Sequence, residues 1–238
     1  MIARDLGFVL RRYNFRETSV IASIYTRKFG KITGILKGFY TPKKEFASPL
    51  QACTLHEFVF YPKKREIWLV SFAELVRDFP YLRVSLPRAR VAAACINIVE
   101  RTMQLWDDNQ AVFSLLEDSL IALGKEDERK VLSIFLIKFL TVSGFKPEFT
   151  KCICCYGSFA GTFFFSVSRG GLLCPSCRAH APDSRKLSRE ASLSLLYIQN
   201  NDFPHVTRLH PTSSCAKEMF QVLRGFLAYH LDMDVLPQ

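Results

Sequence analysis

Two C-x-x-C pairs, Cys152/Cys155 and Cys174/Cys177, stand 18 residues apart, and no other feature of the chain narrows its folding so far. A C-x-x-C turn lets two sulfurs converge on one tetrahedral ion, and a hairpin of this length returns the second pair opposite the first. Gly157, Gly161, Gly170 and Gly171 supply the tight turns that such knuckles need. Four thiolates fill the tetrahedron and leave no position for water, so the pattern predicts one structural Zn2+ ion rather than a catalytic one. Two neighbours compete for a place in it: Cys154, inside the first pair, and His180, three residues beyond the second. Disulfides or a redox-active C-x-x-C are the alternative use of these thiols, and a reducing compartment disfavours them. Cys53, Cys95 and Cys215 are scattered and read as small buried apolar residues.

A cytoplasmic location is expected on two grounds. Arg4, Asp5, Arg11 and Arg12 leave no apolar run suited to a secretory signal. The most apolar stretch, Val131 to Phe145, carries Lys138 at its middle. It also falls short of the roughly 20 residues that span a bilayer. At 238 residues, 49% apolar and 23% charged, the composition is that of a folded globular chain.

The net charge of +10 is unevenly distributed. Residues 1–79 hold 14 Lys+Arg against 7 Asp+Glu, residues 80–150 hold 9 of each, and residues 151–238 hold 9 against 6. A charge kept only for solubility would not be partitioned in this way. An excess gathered in the first third points to a polyanionic partner.

The hydrophobic period changes where the charge does. Apolar and β-branched runs at about 6–13, 18–27, 30–38, 53–61 and 66–72 read as strands, with a tight turn at Phe29-Gly30 and a long connection from Phe39 to Gln51. Five short strands in so few residues suit a small closed barrel of the OB type. From about residue 88 the period is helical: Val91, Cys95, Ile98, Thr102 and Leu105 form one stripe, and Phe113, Leu116, Leu120 and Leu123 form a second behind an Asn109 cap. Glu128–Ser143 is apolar nearly all round and reads as a central buried helix ended by Gly144 and Pro147. Ser188 caps a further helix, and Met219, Phe220, Leu223 and Leu227 stripe the last one. The expected organisation is α+β and multidomain: an OB-fold barrel over 1–79, helices over 80–150, a four-cysteine zinc-finger insert over 151–182, and returning helices over 183–238.

Strand alternation sorts the barrel's side chains. Val20, Ala22, Ile24, Ile32 and Leu36 should point inward, leaving Ser23, Tyr25, Arg27, Lys31, Thr33 and Lys37 outward. OB-folds bind oligonucleotides on the face of strands two and three and on the loops joining strands 1–2 and 4–5. The candidate DNA-binding residues are therefore Tyr25, Arg27, Lys31 and Lys37 on that face, Arg11, Arg12 and Arg16 before and in the first loop, Lys43 and Lys44 in the long connection, and Lys63, Lys64 and Arg65 in the last loop. Cations along such a groove neutralise phosphates, and rings stack on splayed bases. The bland alternative is a solvated basic face without a ligand, and taken singly Tyr25, Tyr40 and Tyr61 are residue types that more often pack than stack.

No motif for catalysis stands out. Gly30-Lys-Ile-Thr-Gly34 lacks the closing Gly-Lys-Ser/Thr of a P-loop, and His56-Glu57 is followed by Phe60 where a zinc protease would need a second histidine. His205 and His210 flank prolines and read as loop residues. A zinc enzyme would need an open coordination position, which the four cysteines do not leave.

The order of parts, with Phe139-Leu140, Gly144-Phe145-Lys-Pro147, Cys152-x-x-Cys155, Phe165-Ser166 and Gly170-Gly171-Leu-Leu-Cys174-x-x-Cys177, resembles the RecO family of bacterial recombination mediators. Gly30-Lys31, Lys37-Gly38 and Pro49-Leu50-Gln51 extend the resemblance into the barrel, while Phe39-Tyr-Thr-Pro42 and Ala52-Cys53 depart from the family pattern. The resemblance implies a non-enzymatic protein that binds single- and double-stranded DNA and anneals complementary strands at the bacterial nucleoid. It further implies action with RecR to help RecA displace single-strand-binding protein, whose acidic tail would dock on the helical region. An RNA-binding or ribosome-associated OB–zinc protein is the competing expectation.

Overall fold

The computed structural model describes residues 2–41, 50–63, 67–158 and 161–233, and these form two compact units that divide after Lys125. In the first unit, strands β1 (Ala3–Phe15), β2 (Ser19–Thr26), β3 (Gly30–Leu36), β4 (Leu55–Tyr61) and β5 (Trp68–Arg77) close a barrel in the order β1-β2-β3-β5-β4. Only β3 and β5 run parallel, through Gly34 opposite Trp68 and Ile35 opposite Leu69. This closure has the strand count expected of an OB-fold, and Val20, Ala22, Ile24, Ile32 and Leu36 do fill its core with Phe58, Phe60, Trp68 and Val70.

Strand β1 serves two neighbours. Its first half pairs with β4 from Ala3 to Phe8, and Gly7 to Phe15 pair with β2 across a bulge between Val9 and Arg11. A bulge bends its strand and adds twist. Here it carries the second half of β1 away from β4, and no other strand pairs with that second edge among the described residues.

Three helices complete the first unit: α1 (Tyr81–Val84), α2 (Leu86–Thr102) and α3 (Gln110–Ala122). The Asn109 side chain accepts from the Val112 N–H, which fixes the start of α3 where the sequence predicts it. Phe113, Leu116, Leu120 and Leu123 are all buried as expected. Leu105 is not part of the α2 stripe, because the helix stops at Thr102 and the side chain is half exposed.

The second unit contains α4 (Glu128–Val142), β6 (Phe163–Ser166), β7 (Gly171–Leu173), β8 (Arg185–Leu187), α5 (Arg189–Asn200), α6 (Phe203–Val206) and α7 (Ser213–Leu231). Helices α4, α5 and α7 pack against one another, with α4 buried on most of its circumference. Lys138, the cation in that apolar helix, is accommodated because its ammonium donates to the Asn201 carbonyl just past the end of α5. Ser188 caps α5 through the Ala191 N–H. Strands β7-β6-β8 make a small antiparallel sheet that follows the first cysteine pair and brackets the second. Phe149 stacks on Phe165 of the sheet, whose ring also meets Phe226 of α7 at a tilt, and His230 of α7 lies 2.9 Å from the Val167 carbonyl. No described helix is long and apolar enough to cross a membrane.

Candidate nucleic-acid interface and metal centre

The β2–β3 face, expected to be the ligand face, is covered by the helices of its own unit. The Tyr25 ring is fully buried and its hydroxyl donates to the Asn109 carbonyl at 3.0 Å. Burial first, then the Asp107 and Asp108 carboxylates, push its phenol above the ordinary range, so it is held as a neutral donor. The Ser23 hydroxyl donates to Glu100 Oε2 at 2.6 Å, and Lys31 Nζ donates to the Glu100 carbonyl at 2.6 Å. Arg27 lies over the Phe113 ring and shares Glu117 with Arg77. Tyr25 is therefore buried against α3 rather than presented at the surface, a correction to the expectation from strand alternation, while Arg27 stays exposed and Lys31 half-buried although both are engaged by groups of α2 and α3. Alternation gave the side of the sheet correctly. It could not say that α2 and α3 would occupy that side.

Gly30 makes the covering possible. It sits at φ +63, and a Cβ there would lie 2.0 Å from the Asp107 carbonyl oxygen, so only glycine lets the α2–α3 connection reach the hairpin. The same connection donates the Trp106 N–H to the Lys31 carbonyl at 2.8 Å.

The remaining cations fall into two sets. Lys43, Lys44, Lys64 and Arg65 lie outside the described residues. Arg11, Arg12 and Arg16 are exposed, as are Lys37 and Lys63. No carboxylate lies within ion-pairing distance of Arg11, Arg12 or Arg16 among the described residues, whereas Arg4, Arg27, Arg77 and Arg83 each have one. Arg16 sits at φ 56 in the β1–β2 turn with its guanidinium 5.2 Å from the Phe15 ring centroid.

Two exposed aromatic rings belong to the same part of the barrel, Tyr13 on β1 and Tyr40 bonded to it through Asn14. Tyr13 is 50% exposed and Tyr40 47% exposed, and the Tyr40 hydroxyl donates to Asn14 Oδ1 at 2.8 Å. Strand periodicity does not single out Tyr13, and residue type alone makes Tyr40 a packing residue. The signal for both is the second half of β1, where Arg11, Arg12, Tyr13 and Asn14 are consecutive polar or amphipathic residues that no core can hold on both faces.

In the second unit, the Sγ atoms of Cys152, Cys155, Cys174 and Cys177 all lie within 4.8 Å of one another, with Cys155 and Cys174 at 3.9 Å. A tetrahedral Zn–S bond of about 2.3 Å places its sulfurs about 3.8 Å apart, so the cluster fits a four-thiolate ion. Cys154 and His180 stand outside the group. Backbone geometry builds it: the Tyr156 N–H closes the first knuckle on the Cys152 carbonyl, and the Cys177 and Arg178 N–H groups close the second on the Cys174 carbonyl. Gly170 turns at φ +74, and a Cβ on Gly171 would meet Ile153 Cγ2 at 2.5 Å, which is why Gly-Gly precedes the second pair.

The thiols are electrostatically uneven. Burial pushes Cys152 up, but N–H groups of Cys155, Cys174 and Cys154 outweigh it and bring the thiol down to about 6. Cys177 is pushed well up, chiefly by the neighbouring Cys174 sulfur. Four crowded sulfurs of this kind ionise together only around a cation. By contrast, burial pushes the Cys53 thiol up to about 11 and raises Cys95 and Cys215; Cys95 and Cys215 are buried as expected, whereas Cys53 is half-buried.

Both halves of the chain match known families. Residues 1–79 match the model described as Recombination protein O N terminal, and residues 83–236 match Recombination protein O C terminal. The chain belongs to the RecO family. Among curated relatives, DNA repair protein RecO of Alkaliphilus metalliredigens is 29% identical across 98% of this chain and 95% of that protein. DNA repair protein RecO of Pelotomaculum thermopropionicum is 30% identical across 96% and 89% respectively. Within the RecO chain, the boundary between the two family matches falls inside the first compact unit, so the opening helices of the C-terminal match are the ones that cover the barrel.

Proposed function

We propose that this RecO-family chain is a DNA-binding recombination mediator that holds single- and double-stranded DNA and anneals complementary strands in bacterial repair. The observation that carries the reading is the set of exposed guanidinium groups at Arg11, Arg12 and Arg16 without internal carboxylate partners among the described residues, on a chain related to DNA repair proteins over nearly its whole length. Such cations neutralise phosphates and release counterions without reading sequence. Two strands held on one protein face each other at high effective concentration with their repulsion lowered, which is sufficient for annealing and hydrolyses no nucleotide. In this reading the exposed Lys37 and Lys63 add further positive charge, and Tyr13 and Tyr40 offer rings for unpaired bases.

The proposal includes the partners that the family implies: RecR, RecA indirectly, and the acidic tail of single-strand-binding protein on the helical region. The four cysteines would hold one Zn2+ as an internal brace of the second unit. The metal assignment predicts that Cys174→Ser abolishes stoichiometric zinc and loosens the β7-β6-β8 sheet while the barrel keeps its own transition; a native melting profile without metal would refute it.

The decisive assay is annealing of complementary DNA coated with single-strand-binding protein. A rate well above the uncatalysed one supports the mediator reading. A rate equal to it, or a marked preference for RNA over DNA of the same sequence, counts against it.

A further inference from the structure

The cysteine module has a charge that a brace does not require. Residues 151–189 contain six basic side chains and one acid, Asp183, whereas residues 190–238 contain three basic and five acidic. Asp183 is not available to offset them. Its carboxylate accepts from the Ser166 hydroxyl at 3.0 Å and from the Ser168 N–H at 2.8 Å, inside the β6–β7 hairpin.

Three of these cations, Lys151, Arg178 and Lys186, belong to the two knuckles and the sheet face that hold the sulfur cluster. Phe164 on β6 lies opposite Leu173 on β7 and Lys186 on β8, and residues directly opposite one another share a face of a sheet. Phe164 and Leu173 pack with Cys152 and Cys177, so this is the face that carries the cluster. The Arg178 guanidinium from the second knuckle covers the Phe164 ring at 4.4 Å, and Lys186 flanks the same ring from the edge strand. From the first knuckle, Tyr156 stands 69% exposed with the Lys151 ammonium 5.0 Å from its ring centroid. Tyr156 is locked at φ 59 by its N–H bond to Cys152, so the ring projects from a fixed rather than a floppy position.

From this arrangement we infer that the cysteine module is a second contact surface for single-stranded DNA, in which Lys151, Arg178 and Lys186 neutralise phosphates and Tyr156 stacks on an unpaired base. The exposed ring distinguishes this ligand from an acidic peptide, which would need the cations alone. A prepositioned ring between cations is the arrangement by which single-strand binders hold bases without reading them. The inference rests on the reading that the chain binds DNA, and it deepens that reading: each compact unit would carry its own strand-binding surface, so that one chain could engage two strands.

The test uses the full-length, zinc-loaded protein and a fluorescent oligothymidylate, with binding followed by anisotropy across a salt series. Replacing Lys151, Arg178 and Lys186 with Ala should lower the log–log salt slope by about 2, at about 0.7 per phosphate contact. Tyr156→Ala should weaken oligothymidylate binding about tenfold, leave duplex affinity nearly unchanged, and be rescued by Tyr156→Phe. Zinc content is measured for each variant. Lys186→Ala, on β8 and outside both knuckles, still tests the surface if a knuckle variant sheds metal. Wild-type slope and affinity in all variants would overturn the inference while leaving the barrel reading intact. Loss of polyglutamate binding with oligothymidylate binding retained would also overturn it, in favour of an acidic peptide. A wild-type protein that ignores oligothymidylate at low salt would overturn both readings together.

Discussion

Along β2 and β3 the barrel turns Ser23, Tyr25, Arg27 and Lys31 toward α2 and α3, whereas along the second half of β1 it turns Arg11, Arg12 and Tyr13 toward solvent. The two surfaces draw on similar residue types. What separates them is what a later part of the chain brings to each. Helices α2 and α3 and their connection supply Glu117, the Glu100 carboxylate and carbonyl, and the Asn109 carbonyl to the first surface. Nothing among the described residues supplies a carboxylate to the second. Arg27 and Lys31 thus already have internal partners, whereas Arg11, Arg12 and Arg16 have no carboxylate partner among the described residues.

The largest effect that would sharpen this contrast is on stability. Tyr25→Ala removes a fully buried ring and should cost about 3–5 kcal/mol, read by denaturant titration. Next, Arg11→Ala, Arg12→Ala and Arg16→Ala combined should lower the single-strand salt slope by about 2 and leave stability within about 0.5 kcal/mol. Equal slopes for that triple variant and wild type would break the comparison. Tyr25→Phe is smaller: loss of the hydroxyl bond to Asn109 should cost about 1 kcal/mol and leave DNA affinity untouched. A drop in affinity from Tyr25→Phe would show that the covered face still meets DNA.

The smallest effect concerns pH. His56 is fully buried, with Nε2 lacking a partner among the described groups and Nδ1 3.3 Å from Thr54 Oγ1. Burial lowers its pKa below the ordinary imidazole value. The unfolded chain therefore takes up a proton first as pH falls through about 6.5, and this contribution to stability is full above that pH and declines below it. Thermal melts from pH 7.5 to 5.5 should show the decline, and His56→Phe should flatten it. Guanidinium groups do not titrate in this range, so oligonucleotide affinity at matched fraction folded should not follow the same curve.

Much of this was legible in the sequence because it depends on local rules. The inward set of β2 and β3 follows from the period of a strand, the Asn109 and Ser188 caps from the side chains themselves, and the four-sulfur cluster from C-x-x-C spacing. The errors concern contacts between distant parts of the chain. Tyr25 and Asn109 are separated by 84 positions, and no periodicity near either one announces the pairing. Leu105 matched a helical stripe by spacing, but the chain leaves the helix at Thr102 and carries Trp106 to the Lys31 carbonyl instead. The β1 register shift between Val9 and Arg11 is likewise something a repeat of two cannot forecast.

The covering of β2 and β3 by α2 and α3 also imposes an order of events at the ribosome. Translation adds about 5–20 residues per second, so the strands through Arg77 emerge some seconds before α3, which begins at Gln110, is available. Throughout that delay the nascent barrel displays Tyr25 and its neighbours bare. A chain released between those two points would leave the Tyr25 hydroxyl without the Asn109 carbonyl that it meets in the finished molecule.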